Sequence, residues 1–410
     1  MNREHEPETR NLKPGTTRSS AEIVIIGGGV VGSSIAYHLR GAGHRGRIVV
    51  IERDDSYSRA SSSLAMGGIR QQFTLAANVR MVQYSIGFYQ DLDRRSRVAD
   101  EARRVNFRQR GYLFLADAGS AARLDRRYEA MRSAGARVER LSADDIRRRL
   151  PDASLDDIEF GVFGPEDGYA NPKAVLFAMR EIAQDAGVEY LHGEVGAIRR
   201  TNDNLTEIAL GAVSIDTPVV VNAAGAFAGR VAALAGLSLP VAPVRQQLFR
   251  CALPRRWEYR FPMVIDPDGT HWRHDDAVAP DGPDRIVVAK TNHHETPGEN
   301  FTCDEARWLN DFYPSLARRM PAFAGLAIVE GWAGLYEMTP DHNPIIGEHP
   351  DAPGFFLANG FSGHGLMMAP ATGKAVADLV MTGSSPTIDV AAFAYDRFRR
   401  GALLDDEATL

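Results

Sequence analysis

The sequence predicts an α/β protein whose central element is a parallel, doubly wound sheet. Two observations carry this. A continuous apolar run, Ile23–Ile26, leads into three glycines at Gly27, Gly29 and Gly32, and "SSIAYHLR" continues at helical spacing. A second apolar run, "RIVVIE", follows that helix and ends on Glu52. Continuous apolar runs, unlike alternating ones, belong to strands buried on both faces. A strand, a helix and a second strand in that order form the crossover unit of a parallel sheet.

Each part of the first unit has a mechanical reason. Gly27 permits a tight turn, Gly29 lets the backbone approach a pyrophosphate, and Gly32 lets helix and strand pack closely. The helix start at Val30 and Val31 presents N–H groups to an anion. Glu52 falls at the distance beyond the glycines where a ribose-binding acid is expected. It can accept hydrogen bonds from a ribose diol and repels a 2′-phosphate, which disfavours NADP; Arg53 is assigned to the same site. The chain then enters "RDDSYSRASSSLAMGGIRQQFT", a long stretch with Ser61, Ser62, Gly67 and Gly68. Such a loop suits a ligand that extends beyond the pyrophosphate, as FAD does. "DTPVVVNAAGAFAGRVAALAG" reads as a buried strand, a turn through Ala224 and Gly225, and a helix. Before it, "AGVEYLHGEVGAIRR" reads as a strand carrying Gly193-Glu194-Val195; this resembles the segment that passes the adenine in FAD-binding folds, which implies a cofactor contact for Val195. The sequence has no second full GxGxxG with its own acid, so one FAD is expected, with an organic substrate as reductant.

Composition narrows the partners. The chain has 410 residues and a net charge of −6, which favours neither nucleic acid nor an anionic membrane. The most apolar region, Val219–Val244, is broken by Asn222, Arg230 and two prolines, and reads as strand plus helix instead of a membrane span. The stretch 1–20 is polar and lacks an apolar core, as in a disordered arm, and a cytoplasmic location is the expectation. Cys251 and Cys303 have no CxxC partner, so free thiols and no metal site are expected. His293 and His294 read as solvent-exposed. The arginine runs in "SAARLDRRYEAMRSAG" and "SADDIRRRL" read as solvated helix faces.

Six stretches in order, "IIGGGVVGSSIAYHL", "GGIRQQF", "RGYLFLAD", "VVNAAGAFAG", "GWAGLYEMTPDHNPIIG" and "GFSGHGLMMAP", resemble the D-amino-acid oxidase superfamily of flavoproteins. The resemblance runs from about Glu22 to about Gly383. It is marked toward sarcosine oxidases and dehydrogenases, the beta subunit of archaeal-type L-proline dehydrogenase, and mitochondrial FAD-dependent oxidoreductase-domain proteins linked to complex I assembly. It implies a Rossmann-like FAD-binding domain (21–105, 155–240 and 328–385) interleaved with an α+β substrate domain (106–154 and 241–327). The latter is built on a mostly antiparallel sheet, to which "YLFLA" and "RIVVAK" would belong. The stretch 1–20 remains as an arm and 386–410 as a C-terminal tail.

The implied reaction is oxidation of the C–N bond of an amino acid or secondary amine, such as an N-methyl amino acid or a proline-like imino acid. A hydride passes to flavin N5, and oxygen or an electron carrier accepts the electrons. Arg70 matches an arginine beside the substrate carboxylate in sarcosine oxidases; the alternative is an ion pair holding the flavin loop. Gly363, His364, Gly365, Leu366 and Met367 would form a loop over the flavin. The next helix, opening near Pro370, would aim N–H groups at the flavin N1–C2=O edge. His364 would lie near the ring or substrate, or else satisfy backbone groups. "GTHWRHD" puts His271 and Arg273 on one strand face and Trp272 on the other. Arg273 would be a second carboxylate ligand or a surface salt bridge. Tyr336 would line the same cavity or pack the core.

Three positions depart from the pattern. Gly334 stands where some sarcosine oxidases attach FAD through a cysteine. Ala65, approximately, stands where dimethylglycine-type dehydrogenases attach it through a histidine. Non-covalent FAD is therefore expected. Met367 stands where sarcosine oxidases carry a lysine that helps hold the carboxylate. Lys290 is near in sequence to the oxygen-activating lysine, in an uncertain strand register, which leaves oxidase and dehydrogenase both open. The competing functions are a non-enzymatic flavoprotein or assembly factor and the FAD subunit of a multi-subunit amine dehydrogenase. Oligomeric state is left open.

Overall fold

The computed structural model describes residues 17–95, 104–200, 206–276, 284–292 and 294–406. Two large sheets organise them. The first has six strands in the order Ile345–His349, Ala352–Asn359, Val219–Asn222, Ile23–Ile26, Ile48–Glu52 and Glu189–His192. All neighbours are parallel except the first pair. Val24, Ile25, Val49 and Val50 are fully buried, as continuous apolar runs require. The helices Val30–Gly41, Pro172–Asp185 and Gly365–Thr382 pack together in one core with this sheet. Their approach is close. A Cβ on Gly32 would lie 1.9 Å from the Gly27 carbonyl oxygen, and one on Gly373 would lie 2.2 Å from Ser34 Oγ.

The second sheet has eight strands in the order Ala327–Met338, Ala242–Ala252, Arg285–Lys290, Thr270–His274, Met263–Ile265, Tyr112–Asp117, Ile158–Gly164 and Glu139–Ser142. Only Met263–Ile265 with Tyr112–Asp117 is parallel. This sheet packs Trp272, Phe249 and Phe312 into a second core. Both fold elements expected from the sequence are present, but the expected boundaries move. Ile158–Gly164 and Ala327–Met338 belong to the eight-stranded sheet, although the resemblance assigns both to the nucleotide-binding part. Ile158 and Phe163 of the first pack in the second core, and Gly334–Glu337 of the second line the cavity described below.

Four other expectations are corrected. Thr17–Ser20 is not part of a loose arm: it pairs in parallel with Val213–Thr217 in a four-stranded sheet, while residues 1–16 lie outside the described residues. Gly193–Val195 follows the strand Glu189–His192 instead of forming it. The last long helix begins at Gly365, not near Pro370. The proline leaves the Leu366 carbonyl without its helical donor. The Tyr89 hydroxyl donates to that carbonyl at 2.5 Å. Finally, 386–406 is folded onto the body. Arg397 forms a buried ion pair with Asp341 at 2.7 Å. Asp406 accepts from Thr74 N–H and Oγ1 at 3.0 and 2.8 Å and from Asn78 at 2.8 Å.

Both cysteines are free. Among the described residues no group of His, Cys, Asp and Glu is arranged to hold a metal ion, and no helix is long and apolar enough to cross a membrane. His294 is exposed, and His293 lies outside the described residues.

Candidate active site

The nucleotide end is built from backbone. Gly27 has φ of 103°, and a Cβ there would stand 2.4 Å from the Ala223 carbonyl oxygen. Only glycine takes this turn without strain. Gly29 is the N-cap of the first helix, with no side-chain cap and no acid in the first turn. Val30 N–H donates to Ser62 Oγ at 3.1 Å, which ties the serine loop to the helix start. The remaining first-turn amides at Val31 and Gly32 have no partner within a helix by construction. Glu52 accepts from Gly28 N–H at 2.8 Å and Asp54 N–H at 3.0 Å, and its burial raises its pKa. Arg53 stacks 3.5 Å over the Phe227 ring, beside the Ala224–Gly225 turn. Val195 is buried in the core next to this region. An uncapped helix start, a cradle that any Cβ would fill, and an acid at the strand end suit a dinucleotide. Val30, Val31, Gly32 and Glu52 would hold its phosphates and ribose.

The other end is a cavity between the Ser61–Gly68 segment, the eight-stranded sheet and the Ser362–Met367 turn. Arg70, His271, Gly334, Tyr336, Gly363, His364, Gly365, Leu366 and Met367, drawn from widely separated parts of the chain, all line it. Ser61, Ser62, Gly67 and Gly68 form the wall facing the nucleotide end. Ser61 Oγ donates to the Leu335 carbonyl at 2.6 Å, and Trp332 Nε1 donates to the Leu64 carbonyl at 2.9 Å. These bonds fasten the serine segment to a rigid strand.

Arg70 has no solvent exposure. Its guanidinium donates to the Gln72 carbonyl and, at 3.3 Å, to His364 Nε2, and it lies 4.4 Å from the Phe73 ring centroid. Burial lowers its pKa. His364 is the N-cap of the Gly365–Thr382 helix. Burial first, and Arg70 second, push its pKa down to about 3. A neutral ring that accepts at Nε2 carries its proton on Nδ1. His271 is locked in the same tautomer. Its Nδ1 lies 2.9 Å from the Gly269 carbonyl, so Nδ1–H donates and Nε2 is left as an acceptor for the cavity. Burial, with Arg70 adding to it, lowers its pKa to about 4. Tyr336 is close to the turn: a Cβ on Gly363 would be 2.5 Å from its ring. A Cβ on Gly334 would be 3.0 Å from Leu64 Cβ, so that position lacks room as well as a nucleophile.

Other residues are placed differently. Arg273 shares a strand face with His271, but its guanidinium donates to the carbonyls of Met66 (2.7 Å) and His274 (2.6 Å) and pairs with Asp275 at 3.4 Å. It faces a neighbouring cavity with Lys173, Arg250 and Trp332, beyond the Leu64–Ala65 segment. At 1% exposure it is not a surface salt bridge either. Lys290 lines the first cavity, with its ammonium 2.9 Å from Asp311 and 3.1 Å from Asp268.

Sequence reasoning missed Glu337 and Tyr112, which line the same cavity. Glu337 sits inside the quoted "GWAGLYEMTPDHNPIIG", but an acid in a strand gives no sign of which face is buried. Tyr112 opens a strand whose apolar pattern hides its hydroxyl.

The FAD dependent oxidoreductase model, DAO, matches residues 22–379. FAD-dependent oxidoreductase domain-containing protein 1 of Xenopus laevis is 34% identical, with 92% of this chain and 82% of that protein covered. Glycine oxidase of Geobacillus kaustophilus is 27% identical over 92% of this chain and 97% of its own. The crystal structure of L-proline dehydrogenase from P. horikoshii superposes with a TM-score of 0.83 at 30% identity, covering 94% of this chain and 99% of that one. With its glycine-rich helix start and the cavity that gathers Arg70, His271 and the Gly363–Met367 turn, the chain belongs to the DAO family of FAD-dependent oxidoreductases, relatives of the amine and amino-acid oxidases.

Proposed function

We propose that this protein oxidises the C–N bond of an amino acid or secondary amine, with N-methyl amino acids and proline-like imino acids as the favoured substrates. The observation that supports this most is the cavity itself. It pairs a fully buried guanidinium, Arg70, with a neutral acceptor, His271, beside the Gly363–Met367 turn. Relatives whose names give a substrate are named for glycine, dimethylglycine, 4-methylaminobutanoate and L-proline. This chain spans less than half of the dimethylglycine and 4-methylaminobutanoate enzymes.

FAD, when bound, supplies the hydride acceptor. The residues of the chain do the rest. Arg70 offers a planar, desolvated fork to a carboxylate, which would compete for the edge now turned to His364. His271 Nε2 accepts a hydrogen bond from the amine and orients its lone pair. Burial, with the charge of Arg70 adding to it, disfavours any second cation nearby, as the lowered pKa values of His271 and His364 record. The same field disfavours an ammonium and keeps the substrate nitrogen neutral. First-turn amides of the Gly365–Thr382 helix meet negative charge that develops on the acceptor. Met367 fills volume without adding a charge, which suits a larger or less acidic substrate than sarcosine. With glycine at 334 and alanine at 65, FAD would be held non-covalently; acid precipitation should leave a colourless pellet.

Anaerobic titration of the holoprotein with a panel of amino acids, N-methyl amino acids and cyclic imino acids tests the reading. One class should bleach the flavin, and no bleaching with any of them would overturn it. Readmitting air then separates an oxidase, re-oxidised within seconds, from a dehydrogenase that needs a carrier. A second reading, a flavoprotein subunit of a larger assembly, is favoured by one feature. The edge strand Ala327–Glu330 exposes Ile328 (43%) and Val329 (47%), an apolar edge that single-chain enzymes normally cover. A holoprotein that bleaches with no amine and co-purifies with a partner would favour it.

A further inference from the structure

The turn from Asn359 to Gly365 is wrapped around one carboxyl group. Gly360 and Gly363 have φ of 74° and 93°, and Ser362 is held at 49°. Such left-handed steps turn successive N–H groups toward a common centre. Gly360 N–H donates to Glu337 Oε2 at 2.9 Å. Ser362 N–H donates to the Glu337 carbonyl at 3.1 Å. Glu337 Oε1 lies 3.7 Å from where a Cβ on Gly365 would stand, beneath the start of the Gly365–Thr382 helix. The side chain is 9% exposed and lines the cavity.

The surroundings supply donors but, among the described residues, no ion-pair partner: of the cations lining the same cavity, Arg70 turns to Gln72 and His364, and Lys290 to Asp268 and Asp311. On its own strand Glu337 follows Tyr336, a neutral phenol whose pKa burial raises. Across the sheet its register partner is Pro243, and Arg245 is committed to Glu295 at 2.9 Å. The turn brings His364, which is neutral, and Arg70 lies beyond it. The helix has no acid in its first turn, and the Ser61–Gly68 segment carries only hydroxyls, amides and apolar groups. Burial, outweighing the Gly360 N–H donor, leaves the Glu337 pKa raised to about 7.

We propose that Glu337 is a redox-linked proton acceptor, taking up one proton when the bound flavin is reduced and releasing it on re-oxidation. The inference rests on the reading that this cavity holds the flavin ring. Two-electron reduction by hydride adds one negative charge to the ring. A buried carboxylate held by an amide of the same turn would then face a second anion. A proton on Glu337 removes the repulsion. The balance is two electrons and one proton to the ring and one further proton from solvent to the Glu337 carboxylate; both protons leave on re-oxidation.

The test uses reconstituted holoprotein reduced with dithionite against reference dyes, without any amine, from pH 6 to 8.5. The outcome is therefore independent of which substrate the enzyme takes. In wild type, above about pH 7, where Glu337 is ionised in the oxidised protein, the extra proton adds a factor of ten per pH unit to the reduction equilibrium, about 30 mV for a two-electron couple. Glu337→Gln should lose that increment, and an indicator dye in weak buffer should register one proton fewer per flavin. Equal slopes and equal proton uptake in the two proteins would overturn the proposal. If the Gln variant does not retain FAD, the wild type decides by itself: uptake of one proton per two electrons at every pH in the range overturns it. A Glu337→Asp variant should keep the second proton with a shifted pH window.

Discussion

The chain has two glycine-rich helix starts, and they solve different problems. At Gly27–Gly32 the backbone does most of the work. The glycines remove side chains, Glu52 and Ser62 take the amides of Gly28 and Val30, and those of Val31 and Gly32 have no partner within the helix. At Gly360–Gly365 the glycines bend the chain around side chains from elsewhere. Glu337 takes the Gly360 amide from below, and Arg70 and His364 meet above. The first start binds by shape and fixed dipoles. The second holds groups that titrate, so its electrostatics can respond to what is bound.

The comparison is broken most severely at the first site. Gly32→Ala would place a methyl 1.9 Å from the Gly27 carbonyl oxygen. Backbone must shift, and the strain should be on the order of 3 kcal/mol. The expected outcome is protein without FAD, read from loss of the yellow flavin absorbance, with a lowered melting temperature. An alanine variant that keeps full flavin would mean that the helix start is looser than this packing implies.

The second site should respond to pH, in opposite directions for its two titrating groups. The Glu337 pKa is raised in the folded state, so its stabilising contribution is present below about pH 4.5 and is lost as pH rises to about 7. Glu337→Gln should therefore stabilise the apoprotein by about 3 kcal/mol at pH 8 relative to its effect at pH 4. The His364 pKa is lowered to about 3, so the unfolded state binds more protons below pH 6.5. Stability falls there by about 1.4 kcal/mol per pH unit until the folded pKa is reached. His364→Asn should remove that slope between pH 6.5 and 4. Urea melts at three pH values check both signs together.

Arg70→Met should cost substrates that bear a carboxylate about 2–4 kcal/mol in kcat/KM, and carboxylate-free amines much less. A uniform loss across both classes would assign Arg70 to holding the flavin loop. The smallest expected effect is that of Met367→Lys, roughly tenfold in favour of small carboxylate-bearing amines, from one added partly desolvated charge. The KM ratio of sarcosine to a bulkier N-methyl amino acid measures it.

The first site was legible because its logic is local. Gly27, Gly29, Gly32 and Glu52 lie in one short βαβ stretch, and turn, helix start and strand end each impose a residue type that can be read in place. Arg70, His271, Tyr336 and Met367 were legible only through resemblance; the structure brings them to one cavity, while Arg273, on the same strand as His271, faces another. The helix start at Gly365 was hidden by Pro370, because the hydroxyl that satisfies the freed carbonyl comes from Tyr89, far away in sequence. Ile158–Gly164 and Ala327–Met338 read as strands but did not announce their sheet, since pairing is set by partners distant in sequence. Glu337 carries the same lesson. By itself the sequence determined the parallel sheet, the phosphate-binding turn and the FAD assignment, because these rest on short-range backbone geometry. The tertiary structure alone decided which ionisable groups lose water and which partners they find, because desolvation and charge pairing depend on what the rest of the chain packs against them.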